Sequence, residues 1–244
     1  MSNKDLAFST SPQGDQFPLP QESEYQAELD RIEGLVKEAR EKGQEIVVVM
    51  GVGFVGAVMA AIVADAKNEK GENTKFVIGC QRPSIRSYWK IPILNRGVSP
   101  VKAEDPEVDE LIERTVLQSE TLTATYNSDC LQFADCVVVD VQCDYSKHDL
   151  GNMRTGEAEM AALEATMKTI GEKITPTALT LIETTVAPGT TEFVAWPILK
   201  KAFARRGLKD TPLLSHSFER VMPGKEYVSS IRDFWRVCSG CTPE

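Results

Sequence analysis

Basic runs are missing from this chain. Its 27 lysines and arginines are outnumbered by 36 aspartates and glutamates, a formal net charge of −9, which argues against nucleic acid or an anionic membrane surface as the main partner. Phosphate ligands stay open, because backbone amides bind anions without a basic patch. An apolar leader is missing too: Met1 to Pro20 is polar with no apolar core segment, so no signal peptide is read and a cytoplasmic protein is expected. No unbroken apolar run of membrane-spanning length occurs. The longest apolar stretch, Ile46 to Ala64, contains three glycines and reads as strand–turn–helix. Cysteine is not scarce, with six present, but they read as free thiols. Cys238 and Cys241 have C-x-x-C spacing, yet no second pair or nearby histidine completes a site, so no metal is expected.

What is present is enough for a large core: 244 residues, 42% hydrophobic. Residues 1–20 carry Ser, Pro, Gln and Asp and are expected to form a disordered or loosely packed arm. In residues 22–42, Tyr25, Leu29, Ile32 and Val36 share one helical face, and Gly43 is placed to end the helix. Glu45–Met50 is a buried-strand run, and a helix is expected over Ala57–Lys67 after a glycine turn. Lys75–Cys80, Cys136–Val141 and Ala178–Glu183 read as strands. Asp105–Leu117, Glu157–Ile174 and Thr190–Arg205 read as helices, the last kinked or split by Pro197. Leu213–Ser215 and Arg236–Cys238 are short strand candidates. The alternation predicts an α/β fold, a Rossmann-type doubly wound, mainly parallel sheet over 45–244, with residues 1–44 as an N-terminal helical arm.

The turn Gly51-Val-Gly-Phe-Val-Gly56 follows a buried strand and opens a helix, which is the context a G-x-G-x-x-G fingerprint needs. Gly51 permits the tight turn, Gly53 lets the backbone approach a pyrophosphate, and Gly56 allows close helix–strand packing. The amides of Phe54 and Val55 belong to the first helical turn facing the anion. The acidic residue expected roughly 20 residues further on, which would bind the ribose hydroxyls of NAD, is replaced by Gln81-Arg82. Gln81 can hydrogen-bond ribose more weakly than a carboxylate. Arg82 can pair with a 2′-phosphate, which would favour NADP, or can stack or face solvent. A dinucleotide is expected, NAD with NADP not excluded.

Three more segments narrow the choice: Leu181-Ile-Glu-Thr-Thr-Val-Ala-Pro-Gly-Thr-Thr-Glu192, Ser215-His-Ser-Phe-Glu-Arg-Val-Met-Pro-Gly-Lys225 and Ser230-Ile-Arg-Asp-Phe-Trp-Arg-Val-Cys-Ser-Gly240. Together with the glycine turn they resemble, in order and spacing, the UDP-glucose/GDP-mannose dehydrogenase family, from about Ile46 to the C-terminus. The resemblance implies NAD-dependent oxidation of the C6 alcohol of a nucleotide sugar to the acid, by way of an aldehyde and a cysteine thioester. It implies that Thr185 lies beside the reacting centre and the cofactor, and that Glu219 serves acid–base steps. Arg220 after Glu219 resembles the branch acting on 2-acetamido sugars, so Glu219 and Arg220 are expected on the substrate side and a UDP-N-acetylated sugar is the expected substrate.

Read without the family, Thr185 is a turn hydroxyl and Glu219 a surface carboxylate pairing with Arg220. Departures from the family pattern are Phe218 for proline, Val141-Gln-Cys-Asp144 for V-P-T-P, Gln81 for an acid and Ser239-Gly240 for Gly-Gly. The family continues with a long central helix used in dimerisation, a catalytic Lys and Asn, and a domain bearing G-x-G-G-x-C. No cysteine here has that context. The chain alone is therefore expected not to turn over sugar nucleotides; the alternative reading is a non-catalytic nucleotide-binding or regulatory module.

Overall fold

A computed structural model describes residues 7–147, 149, 156–222 and 224–242. The first two strands, β1 (Phe8–Thr10) and β2 (Gln16–Pro18), pair as an antiparallel hairpin. This corrects the expectation of a loose arm for residues 7–20; Met1–Leu6 lie outside the described residues. The reason is one aromatic side chain. Phe17 is buried against Trp89 and Ile93, and the buried Ser9 hydroxyl donates to the Ile85 carbonyl at 2.8 Å while accepting from the Trp89 amide at 3.1 Å. A polar segment thus anchors through a single apolar contact and two satisfied hydrogen bonds.

Helix α1 (Tyr25–Glu41) turns Ile32, Val36 and Ala39 into the core, and Gly43 takes φ +74° just beyond it. There follow β3 (Glu45–Met50), α2 (Phe54–Ala64), β4 (Lys75–Cys80), α3 (Lys90–Leu94), α4 (Glu107–Glu113), β5 (Leu122–Thr125), β6 (Cys136–Val139), β7 (Tyr145–Ser146), β8 (Glu157–Ala158), α5 (Ala161–Lys173), β9 (Leu179–Ile182), α6 (Trp196–Arg205), β10 (Leu213–His216), α7 (Tyr227–Asp233) and β11 (Ser239–Gly240). The seven-stranded sheet has the order β5-β4-β3-β6-β9-β10-β11. All its pairings are parallel except β10 with β11. That is the doubly wound order, reversing direction between β3 and β6.

Strand alternation sorts the two layers. Ile46, Val48, Ile78, Val137 and Val139 pack with Ile32, Val36, Leu163, Met167, Ile170, Leu199 and Phe203 of α1, α5 and α6 on one face. Val47, Val49, Val77 and Val138 pack with the small side chains of α2 and with α4 and α7 on the other. Both faces are therefore dry, and the strands read as unbroken apolar runs. Among the described residues no helix is long and apolar enough to cross a membrane.

Several boundaries move. The helix expected at Ala57 begins at Phe54, because Gly53 already has the extended conformation of an N-cap. Glu157 and Ala158 pair with Ser146 and Tyr145 instead of opening α5. Pro197 does split its helix: a wide π-turn covers Thr191–Ala195 and the α-helix starts at Trp196, where a missing N–H costs little. The strand expected at Arg236–Cys238 does not form; those residues are irregular, and β11 follows them at Ser239–Gly240. β5 has no sequence reading at all: four residues, Leu-Thr-Ala-Thr, become a strand by pairing with β4.

Candidate functional site

At the carboxyl ends of the strands, where the sheet order reverses, lies a crevice of about 1340 Å³. Gly51, Gly53, Phe54, Val55, Gly56, Gln81, Arg82, Thr185 and Glu219 all line it, together with Asp140 and Thr184. Open α/β sheets hold ligands at this place. Arg220 is not in the lining; its guanidinium lies over the exposed Phe218 ring at 5.8 Å.

The three turn glycines answer to different neighbours. Gly51 has φ +104°, and a Cβ on it would sit 2.5 Å from the Asp140 carbonyl oxygen. A Cβ on Gly56 would sit 1.9 Å from the Gly51 carbonyl oxygen. Both positions are closed to side chains by the protein's own backbone. At Gly53 a Cβ would meet nothing within 4 Å, so the fold leaves that space empty on the crevice wall. Gln81 sits at the end of β4 with its Oε1 accepting from the Val52 amide at 3.1 Å and its Nε2 3.4 Å from the Ser87 hydroxyl. It fastens the glycine turn to the neighbouring strand. Tyr227 does the same from α7: its hydroxyl donates to the Phe54 carbonyl at 2.6 Å and its ring stacks on Phe54 at 4.9 Å.

The opposite wall is acidic. Thr185 and Glu219, 34 residues apart, meet directly: the Thr185 hydroxyl donates to the Glu219 carbonyl at 3.3 Å. The Glu219 carboxylate pairs with Arg236 at 2.8 Å, and Arg220 contributes only its amide, at 2.6 Å. The second arm of the Arg236 guanidinium pairs with Glu183. Glu183 directly follows β9 and is 3% exposed. Asp140 directly follows β6. One oxygen of each, Asp140 Oδ2 and Glu183 Oε2, is buried without a hydrogen-bond partner. Burial pushes the Asp140 carboxyl up to about 7, with the Glu219 charge adding and Arg236 opposing. Burial pushes Glu183 up to about 8, Arg236 opposing and Asp140 and Glu219 adding. Burial first, then the charges of Asp140 and Glu219, also raise the Tyr227 phenol. Acid groups in such surroundings take the neutral form near neutrality.

Asp140, Glu183, Arg236 and Tyr227 had no chemistry assigned from sequence. For Asp140 and Glu183 a signal existed: each is an acid placed immediately after an apolar strand, at the edge where ligands bind. Arg236 stood inside the Ser230–Gly240 segment that carries the resemblance, but nothing local said that it reaches the site, which it does from the link between α7 and β11. Pro223, in the loop after Glu219, lies outside the described residues.

A glycine turn at the reversal point, with an acid and a hydroxyl gathered across from it, defines a Rossmann-type dinucleotide-binding domain. Residues 45–234 match the UDP-glucose/GDP-mannose dehydrogenase family, NAD binding domain. The chain belongs to that family. It is 28% identical over 179 residues to a UDP-N-acetyl-D-mannosamine dehydrogenase of Pyrococcus horikoshii, covering 73% of this chain and 37% of that protein. It is 29% identical over 201 residues to a UDP-N-acetyl-D-glucosamine 6-dehydrogenase of Pseudomonas aeruginosa, covering 81% and 40%. Among solved structures, an NDP-N-acetyl-D-galactosaminuronic acid dehydrogenase from Methanosarcina mazei Go1 superposes with a TM-score of 0.71 at 32% identity, covering 87% of this chain and 42% of that one. The chain thus spans about two-fifths of the length of these relatives.

Proposed function

We propose that this chain binds NAD(H) and forms the cofactor-binding part of an enzyme that oxidises the C6 alcohol of a UDP-linked 2-acetamido sugar to the uronic acid. The observation that carries the reading is the empty space at Gly53, beside two glycines that the backbone itself requires and across from Thr185 and Glu219. Residues 45–244 are the dinucleotide domain in this reading and residues 1–44 an arm on its edge. The Gly53, Phe54 and Val55 backbone would hold the diphosphate, because amides at a helix start attract an anion and no side chain intervenes. Bound NAD supplies a hydride acceptor. Glu219 and Thr185 lie where they can hold or move a proton beside the reacting carbon; Arg220, outside the crevice lining, is given no contact with the substrate.

NAD ranks ahead of NADP here. The Gln81 oxygen is engaged with Val52, which leaves its amide nitrogen facing ribose oxygens, while a 2′-phosphate would rest on the exposed Arg82 and on Lys90, whose ammonium burial disfavours. The acetamido sugar follows the Glu219-Arg220-Val221 sequence and agrees with the names of the three relatives above. The six cysteines carry no disulfide, which suits a reducing compartment, and we place the protein in the cytoplasm.

Thermal unfolding with and without millimolar NADH and NADPH tests this. A ligand at about 100 times its Kd stabilises by about 2.7 kcal/mol, a rise of several degrees. Melting curves unchanged by either dinucleotide would sink the reading, and an equal rise with both would remove the preference for NAD. The 244-residue chain by itself is expected to give no UDP-sugar oxidation, since it spans about two-fifths of its relatives' length.

A further inference from the structure

Glu219 is tied down from four directions. Its amide donates to the Glu183 carbonyl at 3.0 Å, its carbonyl accepts from Thr185, its Oε1 accepts from the Arg220 amide, and its Oε2 accepts from Arg236 Nη2. The guanidinium is the only one of these that supplies charge. It is also fixed from behind: its other arm is held by Glu183, and Nη2 reaches the Ile231 carbonyl of α7 at 3.4 Å.

Among the described residues, one guanidinium, Arg236, pairs with Glu183 and Glu219 while its charge also reaches Asp140, and the Tyr227 phenol is close enough to feel Asp140 and Glu219. The three carboxyl groups cannot all be ionised around a single guanidinium in a largely dry site. Their surroundings decide which keeps its charge. Glu183 is 3% exposed, stands behind the crevice wall, and leaves Oε2 unpartnered away from water. Such a group is least costly when neutral. Glu219 lines the crevice and receives two hydrogen bonds, one of them charged, and these favour an anion.

We propose that Arg236 is a positioning residue that holds Glu219 in the crevice as an ionised carboxylate, with Glu183 serving as a neutral, proton-bearing anchor for the guanidinium's other arm. An ionised Glu219 can accept a proton at the reacting centre; a neutral one cannot. The functional weight of this assignment rests on the role given to Glu219 under the proposed function, but the charge arrangement is testable without it.

The test is a carboxyl 13C titration of Glu219 in the 244-residue chain, its signal assigned by E219Q. In R236M the Glu219 proton affinity is expected to rise tenfold or more, and in R236K by less, because the charge stays and the fork is lost. In E183Q the Glu219 midpoint is expected to stay in place, since a neutral acid is replaced by a neutral amide of the same shape. A merely structural Arg236 would leave the midpoint unmoved in a folded variant, and that result in R236M overturns the proposal. Should R236M fail to fold, E183Q decides alone: a tenfold fall in Glu219 proton affinity there would mean that Glu183 was ionised, and the assignment is wrong. NADH binding is read separately by thermal shift. Its absence would sink the dinucleotide reading while leaving the titration result to stand or fall on its own.

Discussion

The two walls of the crevice are built on opposite principles. On the glycine side the structure is set by shape: Gly51 and Gly56 are there because backbone oxygens lie 2.5 and 1.9 Å from where their Cβ atoms would be. On the acidic side it is set by charge: two carboxyl groups, Glu183 and Glu219, share one guanidinium with Asp140 nearby, and one oxygen each of Asp140 and Glu183 has no partner. A wall held by steric fit is indifferent to pH and salt, whereas a wall held by a charge imbalance is not. The first positions a ligand; the second can hold or release protons beside it.

The largest expected effect separates the glycines from one another. Gly56→Ala drives a side-chain carbon into the Gly51 carbonyl and is expected to cost more than about 3 kcal/mol, leaving little folded chain by circular dichroism. Gly53→Ala is expected to leave the melting temperature within about a degree yet to abolish the NADH-induced shift. If Gly53→Ala melts as early as Gly56→Ala, the distinction between a fold-required and a ligand-required glycine is lost.

Next comes the pH dependence of the acidic wall. Asp140 and Glu183 titrate near 7 and 8 in the folded chain, above the ordinary carboxylate range, so the native state keeps protons that the unfolded chain has released. Their contribution is whole below the ordinary carboxylate pKa and declines as pH rises through about 7 and 8. Stability is therefore expected to fall between about pH 4 and 8, and to level off above that, by on the order of a few kcal/mol. The double variant D140N/E183Q should flatten that slope in urea titrations at several pH values. A wild-type slope of the opposite sign would break the electrostatic half of the comparison.

Smaller effects lie outside the two walls or at their seam. Phe17→Ala is expected to cost about 2 kcal/mol, below the value for a central core phenylalanine. It should free the amides of β1 and β2 to hydrogen exchange with the NADH response intact. Gln81→Ala removes the acceptor for the Val52 amide and is expected to cost about 1 kcal/mol. Its NADH affinity should fall more than that stability loss alone explains, because Gln81 holds the turn from the strand beside it. An unchanged NADH titration would mean that the turn keeps its shape without this fastening.

The amino-acid order by itself determined the strands β3, β4, β6 and β9, the helix α1 and the glycine turn. Each is local: a β-branched run, a 3.6-residue stripe, or a glycine where chain geometry admits nothing else. It also marked Thr185 and Glu219, through ordered motifs, though not that they touch. Only tertiary structure made a strand of Leu122–Thr125, ordered the polar hairpin through Phe17, and turned Glu219 from Arg220 to Arg236. It alone set Asp140 and Glu183 under-partnered at the strand ends. These depend on which distant segment arrives alongside, and on how much water that arrival removes. Desolvation and pairing belong to the packed chain, and no local pattern of residues carries them.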